Sequence, residues 1–263
     1  MDTSQDAFNQ LTNRLRDQVP GSLQVKKINP FVFGVDLTDH HLIIFYYFPG
    51  GVRIKPDCIE KRCIHLDQDI WLNKTNLVLD RILSMIGQAQ RFYARQAVVA
   101  RIDKKTTLDF LEEHHLHIPL PGKYRYGLFF KGELMSICIF SGARVMRHTE
   151  GYRSFECIRF CTKRGYIGVG GLSKLLKAFY RDFKPSDLMT YIDLDWSDGD
   201  KYEKIGFEKV GFLKPQYYLV NRTTHQRTPY KSDANKALDI KKNKELYIVA
   251  NCGSLKMIKT YSD

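Results

Sequence analysis

The sequence predicts a mixed α/β (α+β) protein. Three observations predict it. A β-rich run over residues 155–161, a glycine turn and an amphipathic helix follow one another in a short span. Upstream lies a hairpin pattern, Tyr126-Gly-Leu-Phe-Phe130 and Glu133-Leu-Met-Ser-Ile-Cys-Ile-Phe140 on either side of Lys131-Gly132. Further upstream, two β-rich runs, 31–36 and 42–48, precede a helical pattern over about 73–86.

The chain has 263 residues, 43% of them hydrophobic and 13% aromatic, enough for one large or two ordinary domains with a sizeable core. No apolar run reaches the length of a membrane span, and Met1-Asp-Thr-Ser-Gln-Asp lacks the basic-then-apolar pattern of a signal peptide. A cytoplasmic location without membrane contact is the expectation.

Residues 1–30 are polar, with a short helix over 6–18 ended by Pro20-Gly21. Pro49-Gly50-Gly51 turns the chain after the second β-run, and 63–67 reads as a third short strand. In the helix that follows, Val78, Leu79, Ile82, Leu83 and Ile86 share one face and Gly87 is the stop. The run 91–101 reads as a strand or a strand-like connector. A second unit starts near residue 98. Thr106 and Asp109 have capping-box spacing before Leu108, Leu111 and His115. After the hairpin come a basic loop over 141–152, the strand at 155–161, the glycine turn, a helix over 171–183, a strand over 188–193, and strands near 208–212 and 216–220. This order gives three parts: 1–97, a small α/β domain; 98–222, a second domain; and 223–263, a basic C-terminal extension.

The most informative stretch runs from Ile167 to Phe179. Gly168, Gly170 and Gly171 stand directly before a helix whose Leu172, Leu175, Leu176, Phe179 and Phe183 fall on one face, and Lys184-Pro185 stops it. A strand, a glycine turn and a helix together aim free backbone N–H groups at an anion, and a diphosphate is the usual client. Tight turns also need glycine for steric reasons alone. The turn by itself leaves both explanations open.

The net charge is +12. Such a balance suits a polyanionic partner, nucleic acid or a phosphorylated cofactor, and also plain solubility. From Asn221 onward Arg222, Arg227, Lys231, Lys236, Lys241, Lys242, Lys244, Lys256 and Lys259 face Asp233, Asp239, Glu245 and Asp263, which is 9 − 4 = +5, with Tyr230, Tyr247 and Tyr261 interspersed. The six cysteines, 58, 63, 138, 157, 161 and 252, lack zinc-knuckle spacing and read as free thiols of a reducing compartment. His114, His115 and His117 read as a polar helix end rather than a metal cluster, since only 114 and 117 share a helical face. Asp193, Asp195, Asp198 and Asp200 around Trp196 read as a solvated turn, with an amine- or metal-orienting cluster as the rival.

Downstream of the glycine turn and one further strand stands Lys201-Tyr-Glu-Lys-Ile-Gly-Phe-Glu-Lys-Val. It resembles the Tyr-Glu-Lys-Leu-Gly-Phe signature of GNAT-superfamily acyltransferases. The resemblance covers roughly residues 100–220. It implies a GNAT-like mixed twisted sheet with flanking helices, splayed to admit the pantetheine arm of acetyl-CoA or another acyl-CoA. Gly168, Val169, Gly170, Gly171, Leu172 and Ser173 would take the pyrophosphate. Arg164 lies one position away from the family's usual arginine or glutamine. The reaction implied is acyl transfer from acyl-CoA to an amine. Tyr202 matches the position often used as the acid, and Glu156 lies on the strand that often carries the general base. Period-two alternation places Glu156 on the face of Ile158 and Phe160, with Arg159 on the other face in a structural ion pair.

A narrower likeness is carried by Glu156-Cys-Ile-Arg-Phe-Cys, Gly170-Gly-Leu-Ser-Lys-Leu, Trp196-Ser-Asp-Gly, Lys214-Pro-Gln-Tyr-Tyr, Phe110-Leu-Glu-Glu-His-His-Leu and Asn251-Cys-Gly-Ser-Leu-Lys-Met. These segments resemble the C-terminal half of phage-type homing endonuclease-like proteins and, more distantly, phage DNA-modification acyltransferase-like enzymes. That likeness implies an acceptor amine on a nucleic-acid base and DNA contact through the basic surface and tail. It also implies a degenerate nuclease-like N-terminal unit of the PD-(D/E)XK class. Asp36 matches the first metal-binding carboxylate there, but Leu42-Ile-Ile-Phe-Tyr-Tyr-Phe lacks the second carboxylate and the lysine, so no metal site is expected. The alternative function is a DNA-binding protein derived from such an endonuclease, without catalytic activity.

Overall fold

A computed structural model describes residues 3–55, 60–145, 150–231 and 243–261. The fold is α/β, with mixed sheets and flanking helices, as the sequence predicts. It divides into two compact units that interleave along the chain. Unit 1 holds 1–79, 193–198 and 212–255, and unit 2 holds 80–192, 199–211 and 256–263. The expected boundaries at 97/98 and 222/223 do not coincide with the edges of these units. The chain returns twice to its first unit, because strands distant in sequence complete each set of sheets. Cys58 and the tail residues Asp233, Lys236, Asp239, Lys241, Lys242 and Asp263 lie outside the described residues, as does 146–149 of the basic loop. Among the described residues no helix is long and apolar enough to cross a membrane.

Unit 1 opens with helix α1 (Thr3–Gln18) and strands β1 (Leu23–Asn29), β2 (Val32–Leu37), β3 (Leu42–Tyr47) and β4 (Arg62–Asp67). They form a sheet in the order β1-β2-β3-β4, antiparallel except for the β3–β4 pair. β1 was not legible: its exposed pattern of Gln, Lys and Asn hides the alternation that marks a half-buried strand. α2 (Gln68–Met85) begins five residues before the expected Asn73 and bends at Lys74, whose φ of −134° is not helical. That bend masks the first turn from a single-period pattern.

Unit 2 begins its sheets with β5 (Gln90–Tyr93) and β6 (Val98–Arg101), then α3 (Lys104–His114). The expected capping box is corrected. Asp103 is the N-cap, its Oδ1 accepting from the Thr106 amide at 2.8 Å. The hairpin is β7 (Tyr124–Phe130) and β8 (Glu133–Phe140), turned through Lys131 and Gly132, both with positive φ. Then follow β9 (Arg144–Val145), β10 (Arg153–Thr162), β11 (Tyr166–Val169), α4 (Gly171–Phe183), β12 (Asp187–Asp193), the short α5 (Asp200–Glu203) and β13 (Glu208–Leu213). β14 (Tyr217–Asn221), β15 (Arg227–Tyr230) and β16 (Leu246–Ala250) form a three-stranded antiparallel sheet in the order β15-β14-β16. β17 (Ser254–Thr260) lies between β13 and β12 in the large mixed sheet, β13-β17-β12-β10-β8-β7-β6. A separate parallel pair joins β11 to β5.

α4 packs on that sheet through aromatic rings. Phe179 is fully buried, stacks on Phe140 with centroids 3.8 Å apart, and meets Phe155 edge-on at 5.2 Å. On the other face α3 places Phe110 and Leu111 against Ile137, Ile139 and Cys161. Replacing Phe179 by Ala leaves a ring-sized cavity at this centre and should cost about 3–5 kcal/mol in denaturant unfolding.

Unit 1 carries a buried ion network. The Arg53 guanidinium reaches Asp67 at 2.6 and 2.7 Å and Asp195 at 2.9 and 3.2 Å. Arg227 bridges Asp67, at 2.6 Å, and Asp69. Asp195 also accepts from the Cys252 amide at 2.8 Å. The expectation of a solvated acidic turn is therefore corrected for Asp195, which is buried and paired. Beside the network, His65 Nδ1 and the Tyr47 hydroxyl are hydrogen-bonded at 2.7 Å. Burial and the Arg53 charge push the His65 imidazole down to about 4. The unfolded chain then takes up this proton first as pH falls. Stability should drop by about 3 kcal/mol between about pH 6.5 and pH 4, and His65→Gln should flatten that part of the profile in pH-resolved unfolding.

Candidate functional site

The candidate site of unit 2 is built where two parallel strands part. β10 and β12 are paired only at Ser154–Glu156 with Asp187–Met189. β10 continues to Thr162 and β12 to Asp193 without further pairing between them. The cause lies in β10. Its pairing with β8 passes from Cys157–Phe140 to Arg159–Ile139, so Ile158 is an extra residue, a bulge. A bulge bends the strand and raises its twist. Just past the last backbone pair, the Thr190 hydroxyl rather than a strand amide donates to the Cys157 carbonyl, at 2.9 Å.

The bulge also overturns the expected alternation. Cys157 faces with Phe140, and Phe160 faces with Cys138, which shares that face with Phe140. Cys157 and Phe160 therefore share a face, and Glu156 lies on the opposite side from Phe160. Glu156 is held by Arg144, whose Nη2 donates to its Oε2 at 2.5 Å, while Nη1 of the same arginine meets the Met189 sulfur at 3.2 Å. The Arg159 guanidinium turns back on the Ile158 carbonyl at 2.9 Å.

The glycine turn is where the sequence places it, with reasons specific to each glycine. β11 pairs with β5 in the register Ile167–Arg91, Gly168–Phe92, Val169–Tyr93. A Cβ on Gly168 would stand 2.8 Å from the Phe92 ring. Gly170, with φ of +75°, caps α4. The first intrahelical bond of α4 runs from the Lys174 amide to the Gly170 carbonyl at 3.0 Å. The amides of Gly171, Leu172 and Ser173 donate to no acceptor among the described residues, and no side chain caps them. Gly168 and Val169 end β11, Gly170 caps α4, and Gly171, Leu172 and Ser173 open its first turn, where the free N–H groups lie. Arg164 does not join it: its Nε donates to Asp80 at 2.6 Å.

Tyr202 lies on α5, with its ring edge-on to Phe207 at 5.4 Å. Burial pushes its phenol well above the usual tyrosine range, and the Cys157 and Cys138 thiols add to the rise. It keeps its proton across the physiological range. No hydrogen bond or ring contact among the described residues joins Glu156 to Tyr202. The two thiols are buried and approach each other at 3.4 Å; neither they nor the buried Cys161 nor the half-buried Cys63 and Cys252 form a disulfide. The histidines do not assemble a metal site. His115 is buried, its Nδ1 accepting from the His117 amide at 3.1 Å, and no metal-holding group occurs among the described residues.

Sequence reasoning missed Lys174. Its ammonium donates to the Ala94 carbonyl at 2.8 Å and the Ala97 carbonyl at 2.5 Å, tying the short 3-10 turn at Ala94–Gln96 to the first turn of α4. Its place on the polar side of the helix was visible, but its partners lie 80 and 77 residues away.

No known family description matches this sequence, and no curated protein matches it. Solved structures similar to the chain include a histone acetyltransferase HPA2 and related acetyltransferase from Corynebacterium glutamicum, at 13% identity and TM-score 0.40, covering 64% of this chain and 98% of that one. An IAA acetyltransferase from Bacillus cereus is similar at 12% identity and TM-score 0.36, covering 63% and 99%. A GNAT family acetyltransferase from Elizabethkingia anophelis with acetyl-CoA bound is similar at 10% identity and TM-score 0.36, covering 63% and 99%. Likenesses this distant carry no weight for the chemistry, which rests on the geometry of the turn and the parted strands.

The turn predicts its own mutational signature. Gly168→Val must displace Phe92 and should cost about 1–3 kcal/mol by overpacking. Gly171→Ala, whose added Cβ meets nothing closer than 3.6 Å, should leave the denaturation midpoint near that of the parent chain.

Proposed function

We propose that unit 2 is a GNAT-like N-acyltransferase that moves an acyl group from acyl-CoA to an amine. One observation carries this reading: the parting of β10 from β12 in the same unit as a glycine turn with three free amides. A parted parallel pair offers an unpartnered strand edge to an extended ligand with amides of its own. The turn offers N–H groups to a diphosphate. Pantetheine and pyrophosphate together have that chemistry.

In the proposed reaction the amine nitrogen attacks the thioester carbonyl, a C–N bond forms and the C–S bond breaks. Glu156 accepts the amine proton, directly or through water, and Tyr202 supplies a proton to the departing thiolate. The Arg144 ion pair holds the Glu156 carboxylate in position. Kept protonated, Tyr202 is on the donor side of the balance. The acceptor we favour is an amine carried on a nucleic acid, supported by the net charge of +12. Part of that charge is spent internally, since Arg227 is held by Asp67 and Asp69, and Lys259 donates to the Ile205 carbonyl. Unit 1 enters as a non-catalytic domain, since Asp36 is paired to Lys61 at 2.6 Å and β3 beside it carries no acid.

Acetyl-CoA at millimolar concentration should raise the melting temperature, by the linkage of binding to folding. No shift would sink the reading. With labelled acetyl-CoA and amine-bearing oligonucleotides or peptides as acceptors, Glu156→Gln should lower kcat by roughly a hundredfold while CoA affinity is unchanged. Full retained turnover would remove Glu156 from the mechanism.

A further inference from the structure

The segment from Gln90 to Gln96 is a strap alongside the glycine turn, and nothing in the proposed chemistry uses it. β5 supplies its first half and the 3-10 turn Ala94–Gln96 its second. The strap is fixed at two places. β5 is paired with β11 as far as Tyr93–Val169. Lys174 holds the carbonyls of Ala94 and Ala97.

Parallel register puts Arg91 and Tyr93 on one side of the pair with Ile167 and Val169, while Phe92 turns inward and is buried. Tyr93 and Val169 are 43% and 42% exposed. Together they form a small flat apolar platform one residue from Gly170. The Arg95 guanidinium stands 5.2 Å from the Tyr93 ring centroid. Arg91 and Arg95 are exposed, and neither has a carboxylate partner among the described residues. A guanidinium without a carboxylate, over an exposed ring, suits a ligand that brings both a phosphate and a flat base.

We propose that this strap reads the nucleotide end of the ligand, resting on the acyl-CoA reading above. Tyr93 and Val169 stack the adenine, and Arg95, with Arg91 behind it, binds the phosphate on the ribose. The strap thereby selects 3′-phosphorylated adenosine carriers over those lacking that phosphate.

Isothermal titration of the full chain with CoA and with 3′-dephospho-CoA tests this. The parent chain should prefer CoA by about tenfold, the value of one charge-assisted phosphate contact. Arg95→Ala should reduce that preference to within about twofold and leave the affinity for dephospho-CoA unchanged. Arg95→Lys should retain part of it, since a point charge replaces the planar fork. Tyr93→Ala should weaken both ligands by the same factor. A parent chain that binds both ligands equally, or an Arg95→Ala variant that keeps the full preference, overturns the strap's role and leaves the acyl-CoA reading standing. A parent chain that binds neither overturns both. Melting temperatures of the variants matching the parent would show that the fold is intact.

Discussion

The parting of β10 from β12 depends on one extra residue. With Ile158 inserted, β10 keeps its bond ladder to β8 but bends away from β12 after a short shared run. Most of what distinguishes unit 2 follows from that bend. The Cys157 carbonyl, which a continued ladder could have used, takes a threonine hydroxyl instead. β11 then pairs with β5, away from the main sheet, and delivers the glycine turn to the start of α4. The aromatic packing of Phe179 against Phe140 and Phe155 anchors α4 on one face. An unpaired strand edge and free helix amides are liabilities that proteins ordinarily avoid. The proposed acyl-CoA ligand would use both.

Unit 1 solves a different problem. Asp67, Asp69 and Asp195 are removed from water, and two arginines neutralise them only in part. Burying such charges is expensive, and a network of this kind adds little net stability compared with apolar packing. Its value is in pairing. Only one arrangement of the Arg53 loop, the β4–α2 junction, the 195 loop and β15 satisfies all the carboxylates. Any slip of one segment would leave a buried charge alone.

Local chemistry was legible in the sequence. α4 begins and ends at the expected residues because its apolar face, its glycine cap and the following Lys-Pro are all local signals. β2, β3, β4 and the hairpin were legible for the same reason. What was hidden was set by distant partners. The bulge at Ile158 cannot be read from β10 alone, because it is defined by the partner strand, and it moved Phe160 to the other side from Glu156. β1 and β15 carry polar faces that mask strand periodicity. Asp195 looks like a turn residue until Arg53, from 142 residues upstream, reaches it. The glycines were read correctly as a turn, but the steric need for Gly168 comes from Phe92 on a strand far upstream.

The place of β17 bears on how the chain can be made and cut. The strand between β13 and β12 is supplied by residues 254–260, so neighbours synthesised long before it have no completed sheet until it arrives. Emerging from the ribosome, β12 and β13 must wait as exposed edges, the state most open to mispairing with other chains. The same connection makes the second unit indivisible by simple truncation. A fragment ending at residue 222 would lack an interior strand rather than an appendage, and proteolysis between β16 and β17 would strike the sheet at its middle.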